Sequence, residues 1–292
     1  MLLNASGCLD ALTAPDTARA LDAFVTKTVT PLPRAGNPPV RIAETEFGML
    51  NSIGLANPGR ERFLAEVLPR LRKLGVPIWV SVGGFSAREY AETCERLGGI
   101  AAVELNLSCP NVDEAPESAA EIVAACREAT ELPLFAKLSP AVPDIGELAR
   151  AVAAAGADGL SLVNTIRGLA LDERTLAPKL GRALGGLSGP SLRPIALAAV
   201  YACSRAVDLP VVGMGGIGSG RDALEFLAAG ASAVALGTVL FADPEAPGRV
   251  RAELAAELAA LDLGRPEEAV GLAHEDRLPT RKPLLVGIKA LV

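Results

Sequence analysis

Histidine is almost missing from this chain of 292 residues, which has one, His274. That residue lies in a polar stretch near the C-terminus, so acid–base chemistry here has to do without imidazole. Aromatic residues make up only 3% of the chain. The interior must therefore be filled by Ala, Val, Leu and Ile, a composition suited to buried parallel strands under Ala-rich helices. The five cysteines, Cys8, Cys94, Cys109, Cys126 and Cys203, are odd in number and show no C-x-x-C spacing. This argues against a built-in iron–sulfur cluster or a bound metal, and fits a reduced, cytoplasmic chain. No run of Lys or Arg is long enough to follow a phosphate backbone, and the net charge of −6 points away from nucleic acid. No apolar stretch reaches the ~20 residues needed to cross a bilayer. No signal peptide is visible either, so no membrane is expected. The one G-x-G-x-x-G spacing, Gly213-Met214-Gly215-Gly216-Ile217-Gly218, is not read as a dinucleotide fingerprint, and a dinucleotide cofactor is not implied.

What the chain does contain is a strand–helix alternation from end to end, without a Pro- or Ser-rich linker. Eight strands are predicted at Met1–Asn4, Phe24–Lys27, Ile78–Val82, Val103–Asn106, Leu134–Leu138, Gly159–Val163, Val211–Gly213 and Ala233–Gly237. Helices are predicted between them at Arg60–Lys73, Ala87–Leu97, Pro116–Ala129, Ile145–Ala155, Leu192–Arg205 and Arg221–Ala229. Parallel strands need such crossovers, and eight can close a (β/α)₈ TIM barrel, here one domain over residues 1–292 with a tail of unassigned role from about 264. An open doubly wound sheet carries the same alternation. What favours the barrel is that polar residues follow the strands: Asn4 and Ser6, Lys27 and Thr28, Asn106 and Cys109, Lys137, then Asn164 and Thr165. Barrels place their chemistry at that mouth. The stretch between Lys27 and Ile78 exceeds one crossover and is expected to put a loop or small hairpin over it.

Two glycine loops, Gly213-Met214-Gly215-Gly216 and Gly237-Thr238, follow the seventh and eighth strands, where barrels often bind phosphate through backbone N–H groups. Plain tight turns are the alternative. A mononucleotide such as FMN fits these loops better than a dinucleotide. Lys137 ends an apolar strand, where an inward ammonium needs an anion or a polar ring. A flavin ring offers both, and a lysine beside it would stabilise its reduced form; the alternative is snorkelling to solvent. Asn106-Leu107-Ser108-Cys109-Pro110-Asn111 puts two carboxamides and a thiol in one loop. A carboxamide both donates and accepts, as the edge of a pyrimidine requires. Cys109 reads either as a buried inert thiol or as a general base or nucleophile. Asn51-Ser52-Ile53-Gly54-Leu55 and Asn164-Thr165 repeat the pattern. With Lys27 they suit a small, flat, anionic, amide-rich ligand.

Taken together, four stretches resemble the dihydroorotate dehydrogenases of the soluble, FMN-containing class, from about Asn4 to Pro247. They are Asn106–Asn111, Gly48–Leu55, Gly185-Gly186-Leu187-Ser188-Gly189-Pro190, and Lys27 with the run ending Arg34-Ala35-Gly36-Asn37-Pro38. Gly48–Leu55 and Gly237-Thr238-Val239-Leu240-Phe241-Ala242-Asp243-Pro244 look most like the catalytic subunit of the NAD-linked heteromeric branch. The resemblance implies oxidation of dihydroorotate to orotate in pyrimidine biosynthesis. It implies FMN contacts at Ser6, Lys27, Thr28, Asn106, Lys137, Val163, Gly189, Gly215, Gly216, Gly237 and Thr238. The substrate would meet Lys27, Asn51, Ser52, Ile53, Gly54, Leu55, Asn106, Asn111, Asn164 and Thr165, with Cys109 as the base at C5. It further implies a homodimer joined to a separate subunit carrying FAD and a [2Fe–2S] cluster, as a heterotetramer. Three departures stand out. The family's N-terminal hairpin before the first strand is missing, Ser81 replaces an expected asparagine, and the loop through Asp113-Glu114-Ala115-Pro116-Glu117 lacks a Gly-rich extension. Alternatives are an FMN barrel acting on a different pyrimidine or amide ring, and a non-redox barrel that binds a phosphorylated substrate.

Overall fold

The structure, a computed structural model, describes residues 1–107 and 118–274. In chain order its first elements are β1 (Leu2–Asn4), α1 (Pro15–Arg19), β2 (Phe24–Val25), β3 (Ile42–Thr45), β4 (Gly48–Asn51), α2 (Arg60–Arg62), α3 (Leu68–Arg72) and β5 (Ile78–Val82). Then come α4 (Ala87–Glu95), β6 (Ala102–Asn106), α5 (Ala119–Ala129), β7 (Leu134–Leu138), α6 (Ile145–Ala154), β8 (Gly159–Leu162), β9 (Ile166–Leu169) and β10 (Leu184–Ser188). The last are α7 (Arg193–Ala206), β11 (Val211–Met214), α8 (Gly220–Ala228), β12 (Ala233–Leu236), α9 (Val239–Ala242) and α10 (Ala246–Ala260).

Eight strands pair in parallel in the order β1, β12, β11, β8, β7, β6, β5, β2 and form the expected (β/α)₈ barrel. The seam between β1 and β2 is closed by the single bridge from Leu3 to Ala23 and by a side chain. Asn4 Nδ2 donates to the Val25 carbonyl at 2.8 Å, and Asn4 Oδ1 accepts from the Val25 N–H at 2.8 Å. The sequence placed Asn4 at the ligand mouth, but the structure buries it completely in the seam. The two-residue β2 is too short to ladder with β1, so a carboxamide takes the place of a peptide unit there.

Strand alternation divides the core in two. Outward residues such as Val80, Val103, Leu105, Leu134, Leu160 and Leu162 pack with Ile122, Cys126, Val152, Val200 and Phe226 from the helices. Inward residues Leu3, Val25, Trp79, Ala102, Val212, Ala233 and Ala235 fill the barrel floor. There the ring centroids of Trp79 and Phe135 lie 4.3 Å apart. Gly159 makes room for them: a Cβ at that position would come within 2.3 Å of the Phe135 ring. Above this floor the filling turns polar, with Ser81, Glu104, Lys137 and Ser161 all buried.

Most predicted helices appear with shifted ends, several set by caps: Ser118 and Glu121 form a capping box on α5, and Ser219 and Asp222 another on α8. The predicted helix Arg60–Lys73 is instead two short helices joined by a π-helical turn, Phe63–Val67. Pro69 cannot donate to the preceding turn, and the widened turn accommodates it. The hairpin expected over the mouth is β3–β4. It belongs to a four-stranded antiparallel sheet in the order β3, β4, β10, β9, which the sequence reading did not foresee. Gly185 and Gly186 have little strand preference of their own, and pairing with β4 and β9 makes them extended. The 15-residue α10 was also not foreseen. No helix among the described residues is long and apolar enough to cross a membrane.

Candidate active site

A cavity of about 270 Å³ opens at the carboxyl ends of the barrel strands, beneath the four-stranded sheet. All eleven residues predicted to hold the cofactor line it: Ser6, Lys27, Thr28, Asn106, Lys137, Val163, Gly189, Gly215, Gly216, Gly237 and Thr238. Of the predicted substrate residues, Lys27, Asn51, Ile53, Leu55, Asn106, Asn164 and Thr165 line it too. Ser52 and Gly54 do not. Ser52 is buried, with its hydroxyl accepting from Asn37 Nδ2 at 2.8 Å, and Gly54, at φ +72°, packs against the same Asn37. Both shape the loop that presents Asn51, Ile53 and Leu55. Cys109, Asn111 and the loop through Glu117 lie outside the described residues.

A polar network fixes the mouth. Ser6 Oγ donates to the Thr26 carbonyl at 2.8 Å, and the Thr28 and Ser81 hydroxyls are 3.0 Å apart. Asn106 Nδ2 donates to Thr28 Oγ1 at 3.2 Å, while its Oδ1 accepts from Asn164 Nδ2 at 3.0 Å. The Asn106 carbonyl accepts from the Tyr90 hydroxyl at 2.7 Å. Asn164 Oδ1 accepts from the Thr165 N–H at 2.9 Å, and Asn51 Nδ2 donates to the Gly186 carbonyl at 3.3 Å. These bonds orient the carboxamides before any ligand arrives, so less ordering is required on binding. Ser81, at the position where an asparagine was expected, joins the network through Thr28.

Lys137 is 6% exposed, and its Nζ stands 3.5 Å from Glu104 Oε1, whose residue is 1% exposed. An ammonium at the floor of the cavity is thus retained by a buried carboxylate rather than by solvent. On another wall, Gly189, Gly215 and Gly216 have φ of +90°, +127° and +81°, which side chains rarely adopt. A Cβ at Gly216 would sit 2.7 Å from the Gly189 carbonyl oxygen. The backbone here can be approached closely, as a phosphate requires.

The sequence reading missed several cavity residues, among them Cys8, Met49, Ser188, Met214 and Phe241. Cys8 follows the first strand two residues after Ser6, so the strand-end rule was available to find it. Burial pushes its thiol up, against the downward pull of Lys137 and Lys27, while Glu104 adds to the rise. Glu104 was legible too, since it lies two residues before Asn106 on the same strand and therefore faces the same way. His274 is far from this chemistry: its Nε2 is 3.1 Å from the Ala229 carbonyl, and its ring packs edge-on to Tyr201. Among the described residues no group of three or more His, Cys, Asp or Glu is placed to hold a metal.

Fold and site define a (β/α)₈ barrel that gathers two ammonium groups, several oriented carboxamides and a glycine cradle at its catalytic face. The chain matches the dihydroorotate dehydrogenase family over residues 1–258. It is 48% identical over 264 residues to dihydroorotate dehydrogenase B (NAD(+)), catalytic subunit, of Desulforudis audaxviator, covering 87% of this chain and 86% of that one. The protein of the same name from Geobacter sulfurreducens is 47% identical over 262 residues, covering 86% of each chain. That from a Geobacillus species is 45% identical over 261 residues, covering 86% and 83%. The chain belongs to the dihydroorotate dehydrogenase family.

Proposed function

We propose that this chain oxidises dihydroorotate to orotate, as the catalytic subunit of an NAD-linked enzyme of pyrimidine biosynthesis. The observation that carries this reading is the meeting of Lys27, Lys137, Asn51, Asn106, Asn164 and Thr165 in one cavity with the glycine cradle of Gly189, Gly215 and Gly216. These residues suit FMN. The cradle offers close backbone approach for its phosphate, and Lys137 offers a buried cation for its ring. FMN, when bound, supplies a hydride acceptor.

The chain's own residues do the rest. Lys27 meets the substrate carboxylate. Asn51, Asn106, Asn111, Asn164 and Thr165 read the donor and acceptor edge of the ring, with Ser52, Ile53, Gly54 and Leu55 shaping the loop around it. Cys109 takes the proton from C5 of dihydroorotate. Met49, Leu55 and Leu192 add apolar wall to the cavity and limit water around the reacting atoms.

The partners follow from the same reading. The relatives carry the words "catalytic subunit" in their names, which supports a companion subunit for this chain. We assign FAD and a [2Fe–2S] cluster to that companion, since the chain has no four-cysteine spacing and its Gly213–Gly218 run is followed, after the next strand, by Gly237-Thr238 instead of the acidic residue a dinucleotide ribose needs. The assembly is then a heterotetramer built on a homodimer of this chain, in the cytoplasm.

The test is anaerobic titration of the purified, flavin-loaded chain with dihydroorotate, following the oxidised-flavin absorbance. Rapid bleaching is expected, whereas bound flavin that stays oxidised would leave the family but reject this substrate. In the same assay Cys109→Ala should retain FMN and slow bleaching by about 10²-fold or more. Near-normal bleaching would remove Cys109 from the proton step.

A further inference from the structure

The described residues contain two fully buried side-chain oxygens or nitrogens without a hydrogen-bond partner, Glu104 Oε1 and Ser161 Oγ. Both lie on neighbouring strands that flank β7, the strand of Lys137: Ser161 is the register partner of Lys137, and Glu104 is two residues before its other partner, Asn106. A carboxylate 1% exposed inside a barrel is costly unless something requires it. Its charge partner at 3.5 Å is Lys137, which reaches the cavity that Glu104 itself does not line. The aromatic floor of Trp79 and Phe135 lies on the other side. The pair is therefore confined between an apolar floor and the cavity, with Lys137 as the end that a ligand meets.

We infer that Glu104 is a positioning residue, whose buried carboxylate holds Lys137 at the floor of the cavity and tempers the positive charge that Lys137 presents to the cofactor ring. The inference rests on the reading that FMN occupies this cavity. Its physical basis is that charges close together in a poorly solvated interior act strongly on one another and on a neighbouring ring. Lys137 alone would favour negative charge on the ring, and Glu104 opposes it. The substitution Glu104→Gln would keep the shape of the side chain and remove its charge, leaving the ring beside an uncompensated ammonium. Cys8 gives a second view of the same field, because its thiol lines the cavity and is acted on by Lys137, Lys27 and Glu104.

The test compares the parent with Glu104→Gln and Glu104→Asp by two readouts. In the flavin-loaded proteins, sulfite is titrated; it adds reversibly to N5 of oxidised flavin and leaves negative charge on the ring. Glu104→Gln should bind sulfite at least tenfold more tightly and raise the flavin midpoint potential, with Glu104→Asp between it and the parent. In the flavin-free proteins, the pH profile of Cys8 alkylation is followed by mass spectrometry of its peptide, and Glu104→Gln should move the profile to lower pH. Flavin-loaded Glu104→Gln with sulfite affinity within twofold of the parent, or weaker, overturns the inference. So does an unmoved Cys8 profile. Should Glu104→Gln fail to fold, the comparison of Glu104→Asp with the parent decides by the same criteria. A parent that binds no flavin would reject the FMN reading instead, while the Cys8 profile still tests the pairing.

Discussion

At the scale of single residues, the site depends on a cation that the barrel cannot easily give up. Replacing Lys137 by Met keeps most of the apolar stem of the side chain but leaves Glu104 buried without its partner. Breaking such a pair costs about 3–5 kcal/mol, so Lys137→Met is expected to lower stability in a urea titration by that order. Where it still folds and loads flavin, removal of the charge should slow reduction by dihydroorotate about 10²-fold; stopped-flow absorbance would measure it. A loss of stability with full reduction rate would make Lys137 structural only. The sequence showed Lys137 as a lysine in an apolar strand, and its inward direction followed from that setting. Its counter-charge was overlooked because Glu104 sits inside a strand rather than after one. Asn106, Asn164 and Thr165 were readable from position alone, since strand ends in a barrel converge whatever the identity of the side chains. Ser52 and Gly54 were not, because whether a loop residue faces the ligand or supports its neighbours depends on the turn the loop takes.

At the scale of elements, the weakest join in the barrel is between β1 and β2, where a carboxamide stands in for a ladder. Asn4→Ala would strip hydrogen bonds from both the N–H and the carbonyl of Val25 in a buried setting. At about 1–3 kcal/mol for each unsatisfied group, the variant should lose roughly 2–6 kcal/mol. A urea midpoint unchanged from the parent would show that other contacts close the seam. Because Ser6, Lys27 and Thr28 follow these two strands, flavin affinity should fall along with stability. The strands themselves were legible to within a residue or two, since their apolar runs are short and bounded by turn residues. The four-stranded sheet over the mouth was not. β9 and β10 are short, glycine-bearing and half exposed, and only their pairing across the chain makes them strands.

At the scale of the whole molecule, distant parts of the chain are tied at the barrel floor. Asp22, just before β2, accepts from the Leu2 N–H at 2.7 Å and pairs with Arg251 of α10 at 3.1 Å. Burial alone would push the Asp22 carboxyl up, but the hydrogen bonds from Arg251 and Leu2, with the charge of Arg251, outweigh it and hold the carboxyl below its ordinary value of 3.8. A carboxyl depressed on folding adds stability that is fully present above its unfolded value and is lost as pH falls through the folded one. Stability should therefore decline below about pH 4, and Asp22→Asn should flatten that part of the curve. An unaltered acid limb in thermal melts from pH 6 to 3 would assign the decline to other carboxyls. The barrel and its ring of polar strand ends could be read from the chain without coordinates, because strand periodicity and parallel crossovers leave few other ways to bury so many aliphatic residues. Three-dimensional packing was needed to settle which of those polar groups face the cavity, that Asn4 closes a seam instead, and that Glu104 stands behind Lys137. Those outcomes depend on register and burial between strands far apart in the chain, which no local pattern encodes.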